Sequence, residues 1–104
     1  MAVLVEIRWP INPFRGDKFA EGWLPVAEAA VDYGATSWAF YRALDGRLDF
    51  IQHAIFPSKA DFERYWYSDE ISALREAALN YFNKPLLPSW HTVVVDSAAV
   101  ETVD

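Results

Sequence analysis

Two histidines, His53 and His91, are the side chains of this sequence that titrate near neutrality, and there is no cysteine. Thiolate nucleophiles, disulfides, iron–sulfur clusters and cysteine-based zinc sites are thereby excluded. An imidazole can move a proton to or from a phenol or enol, which makes His53 the first candidate catalytic residue. It lies in the run Arg47-Leu-Asp-Phe-Ile-Gln-His-Ala-Ile-Phe56, which follows Thr36-Ser-Trp-Ala-Phe-Tyr-Arg-Ala-Leu44 across Asp45-Gly46. An Asp-Gly link between two strand-like runs predicts a type I′ hairpin, because both central residues must take positive φ. A two-residue turn sets Leu44 opposite Arg47, then Arg42 opposite Asp49, Phe40 opposite Ile51 and Trp38 opposite His53. Alternation puts all of these on one face of the hairpin. The opposite face holds the small residues Ser37, Ala39, Ala43 and Ala54, which let helices approach closely. The first face is therefore read as a cavity lining.

In that arrangement His53 is the base or orienting donor, and Trp38 and Phe40 stand beside it. Arg42, with Asp49, offers a fork of donors to an anion or a carbonyl. The plainer alternatives are a cross-strand Trp38–His53 pair worth ~0.2–1 kcal/mol and a solvent-facing Arg42–Asp49 salt bridge. His91 opens the last strand about two strand spacings, ~10 Å, from His53, with Glu6 between them. No His-x-His or His-Glu-x-x-His spacing accompanies them, so no metal site is read. Trp66, flanked by Tyr65 and Tyr67, falls at a predicted helix break and is read as the apolar wall of a ligand site; the alternative is simple core. A Gly-rich phosphate loop, a Gly-x-Ser-x-Gly elbow and a carboxylate-rich calcium loop are all missing, which speaks against nucleotide-dependent chemistry and serine hydrolysis.

These residues need elements to hold them. Val3, Val5, Ile7 and Trp9 alternate with Leu4, Glu6 and Arg8, predicting a first strand that Pro10 and Pro13 end. Asp17 can cap a helix running to about Tyr33, with Gly34 as its left-handed stop. Phe19, Trp23, Val26 or Ala27, Ala30 and Val31 form the stripe this helix buries, and Pro25 predicts a kink near Gly22 or a restart near Leu24. Ser58 with Asp61 resembles a capping box that opens a second helical region. There Phe62 and Trp66 share one face while Ile71, Leu74, Ala78 and Phe82 share another, more than 90° away in phase at the ~100° per residue of a helix. One straight helix cannot bury both, so a break is expected at Tyr67-Ser68, with Ser68 as the new cap. Trp90 to Val95 reads as the last strand, and Asp96 to Asp104 as an acidic tail that frays unless it packs on a partner.

The element order β-α-β-β-α-β predicts an α+β, ferredoxin-like fold: a four-stranded antiparallel sheet with both helices on one face. The other face is left apolar and uncovered, and pairing two such faces is the evident remedy. The whole chain, 1–104, has material for a single domain. At 53% hydrophobic and 16% aromatic it is rich for its size, which also points to an interface or a cavity. A net charge of −6 and a pI near 4.7 speak against partners that are nucleic acid or anionic membrane. The first residues read as a strand, not a signal peptide, and no apolar run approaches the ~20 residues that span a bilayer. The expectation is a soluble, cytoplasmic protein.

The stretches Tyr33-Gly-Ala-Thr-Ser-Trp38, Phe56-Pro-Ser-Lys-Ala-Asp-Phe62, Tyr65-Trp-Tyr-Ser-Asp-Glu-Ile71 with Arg75, and Lys84-Pro-Leu-Leu-Pro-Ser-Trp90 carry a further signal. With them the chain resembles the dimeric α/β-barrel superfamily, which includes antibiotic-biosynthesis-monooxygenase-like and NIPSNAP-like domains. The resemblance implies a homodimer whose two sheets form a barrel around a small-molecule-sized cavity. Some members are cofactor-free monooxygenases of polycyclic aromatic compounds, and no catalytic set of the family maps onto these residues. The expectation is a cofactor-independent, monooxygenase-like enzyme acting on an aromatic or polyketide-like compound. His53 would be its base, Arg42 an anion or carbonyl contact, and Trp38 and Trp66 its walls. The competing expectation is a non-catalytic homodimeric ligand-binding or assembly module.

Overall fold

The computed structural model describes residues 2–44 and 48–96. Strand β1 (Val3–Pro10) leads to helix α1 (Gly16–Glu28) and a 3-10 turn at Ala29–Tyr33, then to β2 (Ser37–Arg42) and β3 (Asp49–Phe56). Helices α2 (Lys59–Trp66) and α3 (Asp69–Ala78), a 3-10 turn at Leu79–Tyr81 and strand β4 (Ser89–Thr92) follow. The strands form one antiparallel sheet in the order β2-β3-β1-β4. This is the expected ferredoxin-like α+β arrangement, with its second helical region in two pieces.

Alternation decides which face is covered. Val5, Ile7 and Trp9 of β1 are buried and pair with Ala54, Gln52 and Phe50 of β3, also buried. Helix α1 lays Phe19, Trp23, Val26 and Ala27 on this face, α2 adds Phe62, Tyr65 and Trp66, and α3 adds Ile71 and Ala78. Trp9 lies at the centre, its ring centroid 4.4 Å from that of Trp23, 5.0 Å from Phe19 and 5.5 Å from Phe82. Packing rings of this size is the dominant favourable contribution to so small a core.

The helix break stands where the two stripes change phase. Ser68 Oγ accepts from the Ile71 backbone N–H at 3.2 Å, and Ser58 Oγ caps α2 through Asp61 N. Gly34 takes φ 102° and closes the 3-10 turn, a conformation that suits a residue without Cβ. Other expectations need correction. Asp17 lies inside the first turn of α1, and Arg15 holds the capping position. The helix does not restart near Leu24 but continues through Pro25, because Glu21, Leu24, Pro25 and Glu28 all lie on the exposed side, where water can satisfy the orphaned Glu21 carbonyl. Val31 and Leu74 are partly exposed rather than core. Phe82 is extended, not helical, and bridges to Ile11.

The largest correction is the hairpin register. Trp38 pairs with Ala54, Phe40 with Gln52 and Arg42 with Phe50, while Ala39 is opposite His53 and Tyr41 opposite Ile51. This is one residue away from the register a two-residue turn imposes, and a one-residue slip exchanges the faces of one strand relative to the other. Residues 45–47, with the Asp45-Gly46 turn, lie outside the described residues. The ladder beside them, which ends with Ala43 N–H donating to the Asp49 carbonyl at 3.0 Å, leaves an odd number of residues in the connection. Trp38, Phe40 and Arg42 consequently share the helix-covered face with Phe50, Gln52 and Ala54. Asp49, Ile51 and His53 share the open face with Ser37, Ala39 and Tyr41.

Gln52 is the buried polar residue of the covered face. Its Oε1 accepts from Trp23 Nε1 at 2.9 Å, and its Nε2 donates to Tyr65 Oη at 3.1 Å. Tyr65 in turn donates to the Val26 carbonyl at 2.7 Å, so one chain of hydrogen bonds joins α1, β3 and α2. Burial pushes the Tyr65 hydroxyl up to about 12, against the pull of Gln52, and it stays a donor at any ordinary pH.

Candidate functional site

The site residues read from the sequence divide between three places. Trp38 and Phe40 pack under the helices, the Phe40 ring 5.6 Å from Phe50 and 5.9 Å from Phe19. Arg42, on the same face at the end of β2, donates to Asp17 of α1 at 2.7 Å instead of facing Asp49. His53 stands on the open face, and Trp38 is not its neighbour. His91 is exposed on that face, opposite Leu4 on β1.

The open face carries its own cluster. Glu6 lies opposite His53 on one side and Ser89 on the other. Its Oε1 is 3.2 Å from His53 Nε2, and its Oε2 accepts from Arg8 Nε at 2.8 Å. The Tyr41 ring meets the His53 ring edge to face at 5.5 Å. Burial opposes ionisation of Glu6, but the hydrogen bonds from His53 and Arg8 and the Arg8 charge outweigh it and hold the carboxyl below its ordinary value. Among the described residues no group of three or more His, Cys, Asp or Glu is placed to hold a metal ion, and Glu6 stands between two bases rather than beside a third ligand.

A cavity lies elsewhere, between α3, the segment after it and the end of β1. It is open on one side and has a volume of about 640 Å³, within the range of small-molecule sites. Trp9 and Trp66 form its aromatic floor, Leu79, Phe82, Pro85 and Leu86 its apolar sides, and Ser72, Arg75, Glu76, Asn83 and Lys84 its polar margin. The helix break positions Trp66 here as the last residue of α2, the wall residue expected from the sequence. Arg75 fixes it: the guanidinium lies 4.4 Å from the Trp66 ring and donates to the Trp66 carbonyl at 3.1 Å. That bond also supplies a cation to the carbonyl end of α2.

One buried atom of the core beside this cavity is unusual. Trp9 is fully buried, and among the described residues its indole Nε1–H has no hydrogen-bond partner. A buried donor left unpaired costs about 1–3 kcal/mol, so native proteins rarely keep one without a use for it.

No protein-family model and no curated protein matches this chain. Solved structures do. A candidate antibiotic biosynthesis monooxygenase from Nitrosomonas europaea superposes with a TM-score of 0.82 at 10% identity, over 89% of this chain and 90% of that one. Rv0793 from Mycobacterium tuberculosis gives 0.80 at 13% identity, over 93% and 99%. SnoaB, a cofactor-independent oxygenase from Streptomyces nogalater, gives 0.78 at 12% identity, over 92% and 96%. The fold is that of the antibiotic biosynthesis monooxygenases. At these identities the likeness is one of architecture, and the residues of this chain must carry any statement about chemistry.

Of the residues lining this cavity, sequence reasoning assigned Trp66 alone to a site; Trp9, Arg75, Leu79, Lys84 and Leu86 are among those it did not. A signal was available for two of them. Leu79 and Leu86 are apolar residues beside a proline-punctuated segment, off the stripe that α3 buries. Nothing in the sequence marks the Trp9 indole N–H as unpaired, because that depends on every ring packed around it.

Proposed function

We propose that this protein is a small-molecule enzyme of the monooxygenase-like kind, binding an aromatic or polyketide-like compound in the cavity floored by Trp9 and Trp66. The observation that carries the proposal is the cavity itself, about 640 Å³ with an aromatic and apolar lining and two cationic groups, Arg75 and Lys84, at its margin. A planar ligand between Trp66 and Leu86 buries its ring; the Trp9 N–H is closed to solvent in the free protein, and the rings over it move aside on binding to let a ligand carbonyl or phenolate oxygen supply the acceptor it lacks. Arg75 and Lys84 at the margin favour an oxygen that becomes anionic when the compound loses a proton. Glu76 is the carboxylate at hand to take that proton.

Without a cofactor, all four electrons that reduce O₂ come from the compound itself. An activated ring CH₂ reacts with O₂, one oxygen atom becomes the new ring carbonyl, the other leaves as water, and the CH₂ is oxidised to C=O. The protein's part is to hold the ring, stabilise the anion and keep water away. Trp9→Phe tests this, because it deletes the N–H and keeps a ring. With a tricyclic hydroxyanthrone as probe, turnover should fall at least about tenfold, the loss of one charge-assisted donor. Thermal stability should change by no more than about 1 kcal/mol, since the deleted group has no partner to lose. Unchanged turnover in a folded variant would sink the proposal.

We further propose that the open face pairs with a second copy of the chain. Leu4, Ala39, Tyr41, Ile51 and Ile55 give that face its apolar area, and Glu6 already has both oxygens engaged by His53 and Arg8. The cluster can therefore be covered without a charged partner opposite it. In this reading His53 is held between two sheets. Ile55→Asp should convert a dimer in native mass spectra into a monomer, and a dimer that survives this change rejects the pairing.

A further inference from the structure

A second cleft, sharing no lining residue with the first, opens where β1 leaves the sheet and α1 begins. It encloses about 490 Å³. Its walls are Ile11, Pro13, Leu48 and Phe50, with Phe14 standing out at the rim, and its charged groups are Arg42 and Asp17, beside Gly16. The Arg42 guanidinium lies 5.2 Å from the centre of the Phe50 ring and donates to Asp17 Oδ1 at 2.7 Å. It also lies against the backbone of α1: a Cβ at Gly16 would meet Arg42 Nη2, so a larger residue there would push the guanidinium aside. One cation is thus laid across an apolar wall by three separate elements, β2, β3 and α1.

The rim is stranger. Asn12-Pro13-Phe14-Arg15 is a turn closed by Arg15 N–H donating to the Asn12 carbonyl at 3.2 Å. Pro13 sits at the position that suits proline, but Phe14 occupies the next, with φ 65°, where such turns take glycine. A bulky residue at positive φ is strained. The Phe14 side chain is nonetheless fully exposed and shields nothing in its own chain. Strain that yields no packing within the fold is explained if the ring packs on something else.

We propose that this cleft binds an aromatic carboxylate, with the carboxylate taking Arg42 from Asp17 and the ring lying against Phe14 and Leu48. Charge complementarity selects the ligand: a single guanidinium on an apolar wall matches a single carboxylate on an apolar body. Asp17 is a weak competitor, because its side chain is 94% exposed and returns to water with little loss. This inference is independent of the reaction proposed for the other cavity.

The test is an NMR titration of the full chain with 2-naphthoate. Saturable amide shifts are expected at Gly16, Asp17 and Leu48, with a Kd of about 0.1–1 mM for a ligand of this size. Asp17→Asn, which removes the internal competitor, should tighten binding several-fold. Arg42→Gln should weaken it about tenfold or more, as should exchanging the ligand for neutral 2-naphthamide. Phe14→Gly should weaken binding while raising the melting temperature, since glycine relieves the turn. Shifts confined to Leu79, Asn83 and Leu86, or no saturable shift at all, would overturn the proposal. Equal affinity in Arg42→Gln, or in Phe14→Gly, would do so as well.

Discussion

The two faces of the sheet handle polarity in opposite ways. On the covered face one polar residue, Gln52, is wholly buried, and its partners come from two helices far apart in sequence: Trp23 of α1, and Tyr65 of α2, which itself donates back to Val26 of α1. On the open face Glu6, Arg8 and His53 are only partly buried and pair among strand neighbours. The first arrangement belongs to folding, because its bonds exist only when both helices are docked. The second forms as soon as β1 and β3 pair, and leaves a face that is neutralised locally and free to meet something else. Buried networks of the first kind are costly when one member is lost, whereas exposed ion pairs contribute little.

Gln52→Leu sharpens this contrast most. It keeps the volume but strips Trp23 N–H of its acceptor and Tyr65 Oη of a donor inside the core. The expected loss is about 2–3 kcal/mol in urea unfolding, the cost of orphaning one buried donor plus a second lost bond. Arg8→Ala, on the open face, should lose no more than about 1 kcal/mol, because the Arg8 side chain is 66% exposed. Equal losses from the two substitutions would break the comparison and mean that the open-face cluster also holds the fold.

The same contrast explains what could be read before the fold was known. Element order, the Tyr67-Ser68 break, the Ser58 and Ser68 caps and the Gly34 stop are local properties: each depends on residues within one or two helical turns. The faces of β3 were not local. Phe50, Gln52, Ala54 and Phe56 hold three apolar side chains against two among Asp49, Ile51, His53 and Ile55, a margin that a glutamine blurs until Trp23 and Tyr65 are seen to satisfy it. With both faces mixed, the turn alone had to set the register, and a two-residue Asp-Gly turn gives a pairing one residue from the observed one. That single slip placed His53 beside Trp38 and Arg42 beside Asp49, pairs that lie on opposite faces. Trp66 lies beside a cavity at the end of α2, next to a helix break that is itself local. The cavity's other walls come from the residues following α3 and from β1, which no periodicity brings together.

The smallest expected effect concerns the pH dependence of the open-face cluster. Glu6 keeps its carboxyl below the ordinary value of 4.5 because His53 and Arg8 favour its charged form more than burial disfavours it. A carboxylate whose pKa is lowered by folding binds fewer protons in the native than in the unfolded protein. Its stabilising contribution is therefore complete above the unfolded value and fades as pH falls through the lower, native one. Glu6→Gln keeps a polar side chain of the same size but cannot contribute in this way. Thermal unfolding of both proteins between pH 3 and pH 7 should show a modest gap in melting temperature at neutral pH that closes towards pH 3. A gap that stays constant over this range would mean that Glu6 acts through its shape and not its charge. The open face would then resemble the covered one, with polar groups held for packing, and the distinction between the two faces would have to be redrawn.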